Sequence, residues 1–173
     1  MKKFFALLLA LTMVLTFAAC GNNEPTEETL PEGIMTHDEF VAAELESAVE
    51  IYTYVQAVES WWNGNVQVYA QSKDGGYYIY NLACTQEEAA KFVPGTLVRF
   101  TGFKGEWAGE VEVMDGTFEF VEGGDTFVAE ALDVTDLLAS EELIAHQNEL
   151  VAFKGMTVKA IEYKNGEPGD DIY

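Results

Sequence analysis

Tyr77-Tyr78-Ile79-Tyr80-Asn81-Leu82, then Thr85-Gln86-Glu87-Glu88-Ala89-Ala90-Lys91-Phe92-Val93-Pro94-Gly95, then Leu97-Val98-Arg99-Phe100-Thr101-Gly102-Phe103: this run decides the fold. The first piece is aromatic and branched and reads as a strand over 77–82, with Tyr77, Ile79 and Asn81 opposite Tyr78, Tyr80 and Leu82. A slip of one residue would exchange Tyr78 and Tyr80 for Tyr77 and Ile79 on the outer face. The second piece opens on a capping box. The Thr85 oxygen receives an orphan amide and the Glu88 side chain reaches back, so the spacing predicts a short helix over 85–93. Pro94-Gly95 ends it. Strands resume at Leu97–Phe103, where Gly102 marks a bulge or sharp bend, and at Glu110–Phe120, broken near Asp115-Gly116. A helix between two strands of an otherwise all-β run is uncommon, because a hairpin joins them with fewer residues.

Upstream, Val49–Val58 alternates, with Val49, Ile51, Thr53, Val55 and Ala57 on one side and Glu50, Tyr52, Tyr54 and Gln56 on the other. Period two is a half-buried strand whose aliphatic set faces a core. Asn63-Gly64 is a hairpin dipeptide, and Val66–Gln71 alternates again before the Lys73-Asp74-Gly75-Gly76 turn. Thr36-His37-Asp38-Glu39 is a second capping box, opening an amphipathic helix over 36–47 in which His37 is read as a surface residue. Three strands, a helix and two strands is the order of an OB-fold, a partly open five-stranded barrel. The segment Pro94–Phe103, leading through the glycine-framed loop Lys104–Gly109 into Glu110-Val111-Glu112-Val113, resembles strands four and five of that superfamily. The expected fold class is mainly β, an OB-like barrel with a helix between strands three and four, preceded by a short helix. A small SH3-like barrel competes but normally lacks that helix.

Downstream, 126–132 reads as a connector, 135–148 as a helix and 151–163 as a strand, with Val158 and Ala160 matching Val55 and Ala57. Helix plus strand thus recurs about a hundred residues on, which reads as an incomplete second OB-like repeat. Either the chain is a piece of a longer protein, the preferred reading, or its last strand packs on the first barrel.

At the start, Lys2 and Lys3 precede an uncharged apolar run, Phe4–Ala19, that closes on Phe17-Ala18-Ala19-Cys20-Gly21. A basic n-region, an apolar core and small residues at the cut are export features. The ending resembles the lipobox of bacterial lipoproteins. That resemblance implies cleavage before Cys20, a diacylglycerol on its sulfur, and a protein held on the extracytoplasmic face of a cell membrane, a Gram-positive envelope being preferred. The run is shorter than the roughly 20 residues that a transmembrane helix prefers. Residues 21–33 are Asn, Glu, Thr, Pro and Gly with almost nothing apolar, and read as a flexible tether. The expected organisation is a signal peptide over 1–19, lipidated Cys20 and linker over 20–34, an OB-like domain over 35–132, and the incomplete repeat over 133–173.

Charge narrows the partners. The formal charge is −21, and removing Lys2 and Lys3 leaves seven basic against 30 acidic residues, hence −23. Such a field repels phosphate backbones, and Arg99 is the single arginine, so nucleic acid is not an expected partner. With Cys20 lipidated, Cys84 has no partner for a disulfide; it is read as an inert, buried thiol. No nucleophile elbow, phosphate loop or spaced metal-ligand set occurs, and His37 and His146 fall outside the barrel. No cofactor and no catalysis are expected.

One constellation stands out. OB-folds generally bind on the outer face of strands two and three, framed by the loops joining strands one to two and four to five. Those loops carry Trp61, Trp62 and Trp107, and the outward residues of the first three strands include Tyr52, Tyr54, Tyr69, Tyr78 and Tyr80. Exposed rings offer stacking area at low side-chain entropy, and nearby acids would draw a cation over them. The expected function is a non-catalytic binding module for a glycan, a peptide or an envelope protein. The alternative is a structural spacer whose aromatics plug the barrel or pack on a partner.

Overall fold

Alternation on a closed surface sorts these side chains. The computed structural model describes residues 30–157, together with the backbone of residues 160–162 and 168–172. Helix α1 (His37–Ala42) precedes β1 (Ala48–Val58), β2 (Asn65–Ser72) and β3 (Gly75–Ala83); α2 (Gln86–Ala89) then leads to β4 (Leu97–Trp107) and β5 (Glu110–Phe120). The five strands close into a barrel in the order β1-β2-β3-β5-β4. Neighbours are antiparallel except β3 and β5, which run parallel and meet at Ile79 and Val113. This order, with its helix between β3 and β4, is the OB-fold.

The interior takes the aliphatic row of each strand: Val49, Ile51 and Val55; Val66, Val68 and Ala70; Ile79 and Leu82; Val98 and Phe100; Val113. Full burial of each large side chain contributes about 1.5–3 kcal/mol. Phe40 closes one end, its ring 5.3 Å from Tyr77. Phe92 closes the other, 4.9 Å from both Phe118 and Phe120. Both capping boxes form, at Thr36/Glu39 and Thr85/Glu88.

Two bulges correct the expected phases, and a third falls where Gly102 marked it. Gln56 is an extra residue in β1, so Ala57 pairs with outward Tyr69 and is exposed instead of facing the core. In β3, Ile79 pairs with Val68 and Leu82 with Val66, with Tyr80 and Asn81 bulged between them and Asn81 at φ +50°. Leu82 therefore points inward and shares no face with Tyr78 and Tyr80. Gly102 marks a register shift opposite Asp115-Gly116, as a bend there requires; β5 runs through that point unbroken.

The helices are shorter than expected. Helix α1 stops at Ala42, where the Lys104 ammonium donates to the Val41 and Ala43 carbonyls, the latter at 2.8 Å, and lies 5.9 Å from the Phe40 ring. Lys104 thus belongs to a buried position of β4, and the expected loop shrinks to a turn at Ala108-Gly109. His37 is no free surface residue: its ring meets the Gly76 carbonyl at 3.1 Å and the Tyr77 ring at 5.2 Å.

The tail differs most. The single helix expected over 135–148 is two 3-10 turns, Thr135–Leu137 and Glu141–His146. The strand expected over 151–163 appears as β7 (Val151–Ala152), which pairs with β6 (Leu132–Asp133), and as β8 (Ala160–Glu162), which pairs with β9 (Pro168–Ile172). Val158 lies outside the described residues, as do Cys20 and the whole of 1–29. The border expected at 132/133 falls inside β6. From Phe127 to Leu150 the tail is strapped to the barrel by side-chain amides. Gln56 bonds the Phe127 carbonyl and the Ala129 amide, Gln71 accepts from the Leu150 amide, and Gln147 and Asn148 pair with the backbone of Val111. Gly76 must be glycine here, because a Cβ would overlap the Asn148 backbone.

Thr53 sits inside this apolar barrel, 0% exposed, and its Oγ1 has no hydrogen-bond partner among the described residues. A sealed, unpaired hydroxyl costs about 1–3 kcal/mol. Thr53→Val keeps the shape and should raise the urea-unfolding free energy by roughly 1 kcal/mol; a loss of stability would contradict this packing.

Candidate functional site

The eight aromatic residues singled out in the sequence separate into groups. Tyr69 and Tyr78 are cross-strand partners on the outer side of β2 and β3, with ring centres 4.9 Å apart; Tyr80 follows at 6.3 Å from Tyr78. Such pairs contribute about 0.5–1.5 kcal/mol beyond burial. Tyr54 packs instead on Phe127 of the strap, at 5.5 Å. Tyr52 lies on β1 opposite Arg99, within the ion-pair group Glu50–Arg99–Glu119. Trp61 turns back, its Nε1 donating to the Cys84 carbonyl at 2.9 Å. Trp62 and Trp107 project from two tight turns.

Both turns have two successive positive φ angles, +49° and +90° at Asn63-Gly64 and +51° and +94° at Ala108-Gly109. That is type I′ geometry, whose twist matches the flanking strands. Trp62 is bridged to Asn65, which pairs with Ala83 at the end of β3. Trp107 pairs with Glu110, three residues before the Val113 that meets Ile79. The two tryptophans therefore stand towards opposite ends of β3, with Tyr69, Tyr78 and Tyr80 between them.

The sequence reading placed acids near these rings without naming which carboxylates they are. Since Val113 points into the core and Val111 packs against it, Glu110 and Glu112 point outward, and Glu112 lies next to Tyr78. Burial raises the pKa of Tyr78, and the charges of Glu59, Glu110 and Glu112 raise it further. Tyr69 is likewise raised by burial, then by Glu59 and Glu110, against a hydrogen bond between the two phenols. Glu112 is 5% exposed, and desolvation followed by the Glu110 charge lifts its carboxyl above the ordinary range. The signal was present in the alternation of Glu110-Val111-Glu112-Val113.

Elsewhere, a groove of about 610 Å³ runs between the N-terminal segment and the β1/β4/β5 side, lined by Met35, Val49, Thr101, Phe103, Asp115 and Thr117. None of the candidate aromatics lines it. Cys84 is half-buried, and burial, then Glu88, raises its thiol pKa, which disfavours the reactive thiolate. Among the described residues no three His, Cys, Asp or Glu side chains converge as a metal site, and no helix is long and apolar enough to cross a membrane.

No model of a protein family matches the chain, and none of the curated proteins does. Among solved structures it is similar to a chain of a replication protein A heterotrimer bound to ssDNA, at 18% identity over 55% of this chain and 70% of that one, with a TM-score of 0.37. It is also similar to the p204 HINb domain, at 7% identity over 59% and 58%, with a TM-score of 0.42. A third likeness, to the aspartyl tRNA synthetase from Entamoeba histolytica, has 16% identity over 92% of this chain and 37% of that one, with a TM-score of 0.45. These likenesses are distant, and the assignment as an OB-fold stands on the strand order and closure of the barrel itself.

Glu112 makes a pH prediction. The folded protein holds its proton more tightly than the unfolded chain, so the stability carried by this group is complete below its ordinary value of 4.5 and is lost as pH climbs through the raised value. Glu112→Gln should therefore melt above the wild type at pH 7, with the difference vanishing as pH falls towards 4.5. A variant that melts lower at pH 7 would show that the carboxylate is stabilising where it stands.

Proposed function

We propose that this chain is a non-catalytic binding module that takes its ligand on the rings displayed by the outer face of β2 and β3 and by the two flanking hairpins. The observation that carries this reading is the exposure of large rings there: Trp62 is 81% exposed, Trp107 75% and Tyr80 46%. Rings held out of the core on rigid type I′ turns lose no burial by being there and gain it when a ligand arrives. The ligand class that fits is a glycan, a peptide or an envelope protein. Nucleic acid does not fit. Arg99, the single arginine, is committed to Glu50 and Glu119, and the face itself carries Glu59, Glu110 and Glu112.

The module is anchored through Cys20, cleaved and lipidated after the export segment, on the extracytoplasmic side of a bacterial membrane. The basic pair, the apolar run and the small residues before Cys20 support this reading. A structural role is favoured by a different observation: Tyr54 is covered by Phe127 and Tyr78 is 8% exposed, so part of the aromatic set already serves internal packing.

The joint variant Trp62→Ala, Trp107→Ala separates the two roles. As a binding module, the protein should show a tryptophan emission shift with soluble peptidoglycan fragments, the variant should lose it, and the variant's melting temperature should stay close to that of the wild type. An unfolded variant, or a wild type that no fragment shifts, favours the structural role. For the anchor, Cys20→Ser expressed in a Gram-positive host should move the protein from the membrane fraction to the medium; full retention in the membrane fraction would contradict lipidation.

A further inference from the structure

We propose that the outer face of β3 and β5 is a site for an organic ammonium group, with Glu112 as its counter-ion and the rings of Tyr69, Tyr78 and Trp107 around it. This rests on the reading that the aromatic face binds a ligand, and adds the ligand's charge class.

Glu112 is the observation that points to a ligand. It is 95% withdrawn from solvent, yet its carboxylate has no hydrogen-bond or ion-pair partner among the described residues. Charged side chains are almost never buried unless paired, because the charge loses its hydration with nothing in return. Its oxygens are not sealed in, since Thr53 Oγ1 is the fully enclosed side-chain oxygen without a partner among the described residues. A carboxylate recessed but reachable is built to receive a cation from outside.

Among the described residues no ion pair reaches Glu112. Lys104, although on the neighbouring strand, points the other way and caps α1; Arg99 holds Glu50, and Lys154 holds Asp133 at 2.8 Å. What faces Glu112 is negative or aromatic: Glu110 on its own strand, the Tyr78 phenol on β3 and, beyond it, Tyr69 on β2. Across the β4–β5 ladder Glu112 is opposed by Gly105, over which the Met114 thioether lies, so that side presents a soft, polarisable wall.

Cation class follows from donor chemistry. Calcium takes six to eight oxygens, and no cluster of three metal-binding side chains forms among the described residues. One carboxylate beside aromatic faces suits an alkylammonium, whose alkyl portion covers the rings while its charge meets the acid. The net charge of −21 draws such cations towards the protein from a distance.

The test is calorimetry at about 0.15 M salt with Nα-acetylated tri-lysine, its fully Nε-acetylated form and n-butylammonium, on the wild type, Glu112→Gln and Glu87→Gln. Glu87 is exposed in the first turn of α2, so its variant makes the same change in net charge away from the face. Acetylation and Glu112→Gln should each weaken binding by about tenfold, the worth of one charge-assisted contact, while Glu87→Gln leaves it unchanged. Butylammonium should displace the peptide. Equal losses in the two glutamine variants, or no displacement by butylammonium, would overturn the site. If both peptides bind alike and the joint tryptophan variant loses both, the ammonium inference falls while the aromatic face stands.

Discussion

The parallel contact of β3 with β5 at Ile79 and Val113 is the constraint on which the rest depends. Without it the five strands form an open sheet with two usable faces. With it there is one inside, wide enough for a single row of side chains per strand, and one outside. The residues around the contact are thereby assigned: Ile79 and Val113 inward, and Tyr78 and Glu112 side by side outward. The outward aromatic residues lie on the other side of this boundary. They are what remains when the aliphatic row has filled the barrel and Phe40 and Phe92 have closed its ends.

The outer surface is then divided by the strap. Between Phe127 and Leu150 the chain lies along the barrel and is held through Gln56, Gln71, Gln147 and Asn148, side chains that mimic a strand edge where the true edge is spent on closure. At the far end Asp133 clasps Lys154 and Thr135, which hold its carboxyl at about 2. This wrapping covers Tyr54, and leaves Tyr80 and the two hairpin tryptophans in water. The candidate site is thus defined as much by what the tail covers as by what the strands display.

Much of the barrel was legible in the sequence, because capping boxes and period-two alternation are local signals. Thr36/Glu39, Thr85/Glu88 and the Asn63-Gly64 turn all form where the spacing put them. The failures are non-local. Bulges at Gln56 and Asn81 add one residue on one side of a ladder, and nothing in the strand itself records the partner's count. Hence Ala57 and Leu82 were assigned to the wrong faces. The apolar residues over 135–148 suggested a helix, but tertiary bonds from Gln147 and Asn148 to β5 hold that stretch in 3-10 turns and extended chain. The aromatic half of the site could be read from loop positions. The outward placement of Glu110 and Glu112 was also legible, in the alternation of Glu110-Val111-Glu112-Val113, but the withdrawal of Glu112 from solvent was not, since it depends on the neighbouring strands.

A single physical picture links these parts: a strongly acidic barrel whose proposed ligand face sets ring surface against a recessed carboxylate with no partner among the described residues. Its most direct test is an amide-resolved titration of the isotope-labelled protein with tri-lysine. The shifts should concentrate on Tyr69, Tyr78, Tyr80, Trp107, Glu110 and Glu112. Shifts spread evenly over the acidic surface, or gathered in the groove at Thr101, Phe103 and Thr117, would contradict it.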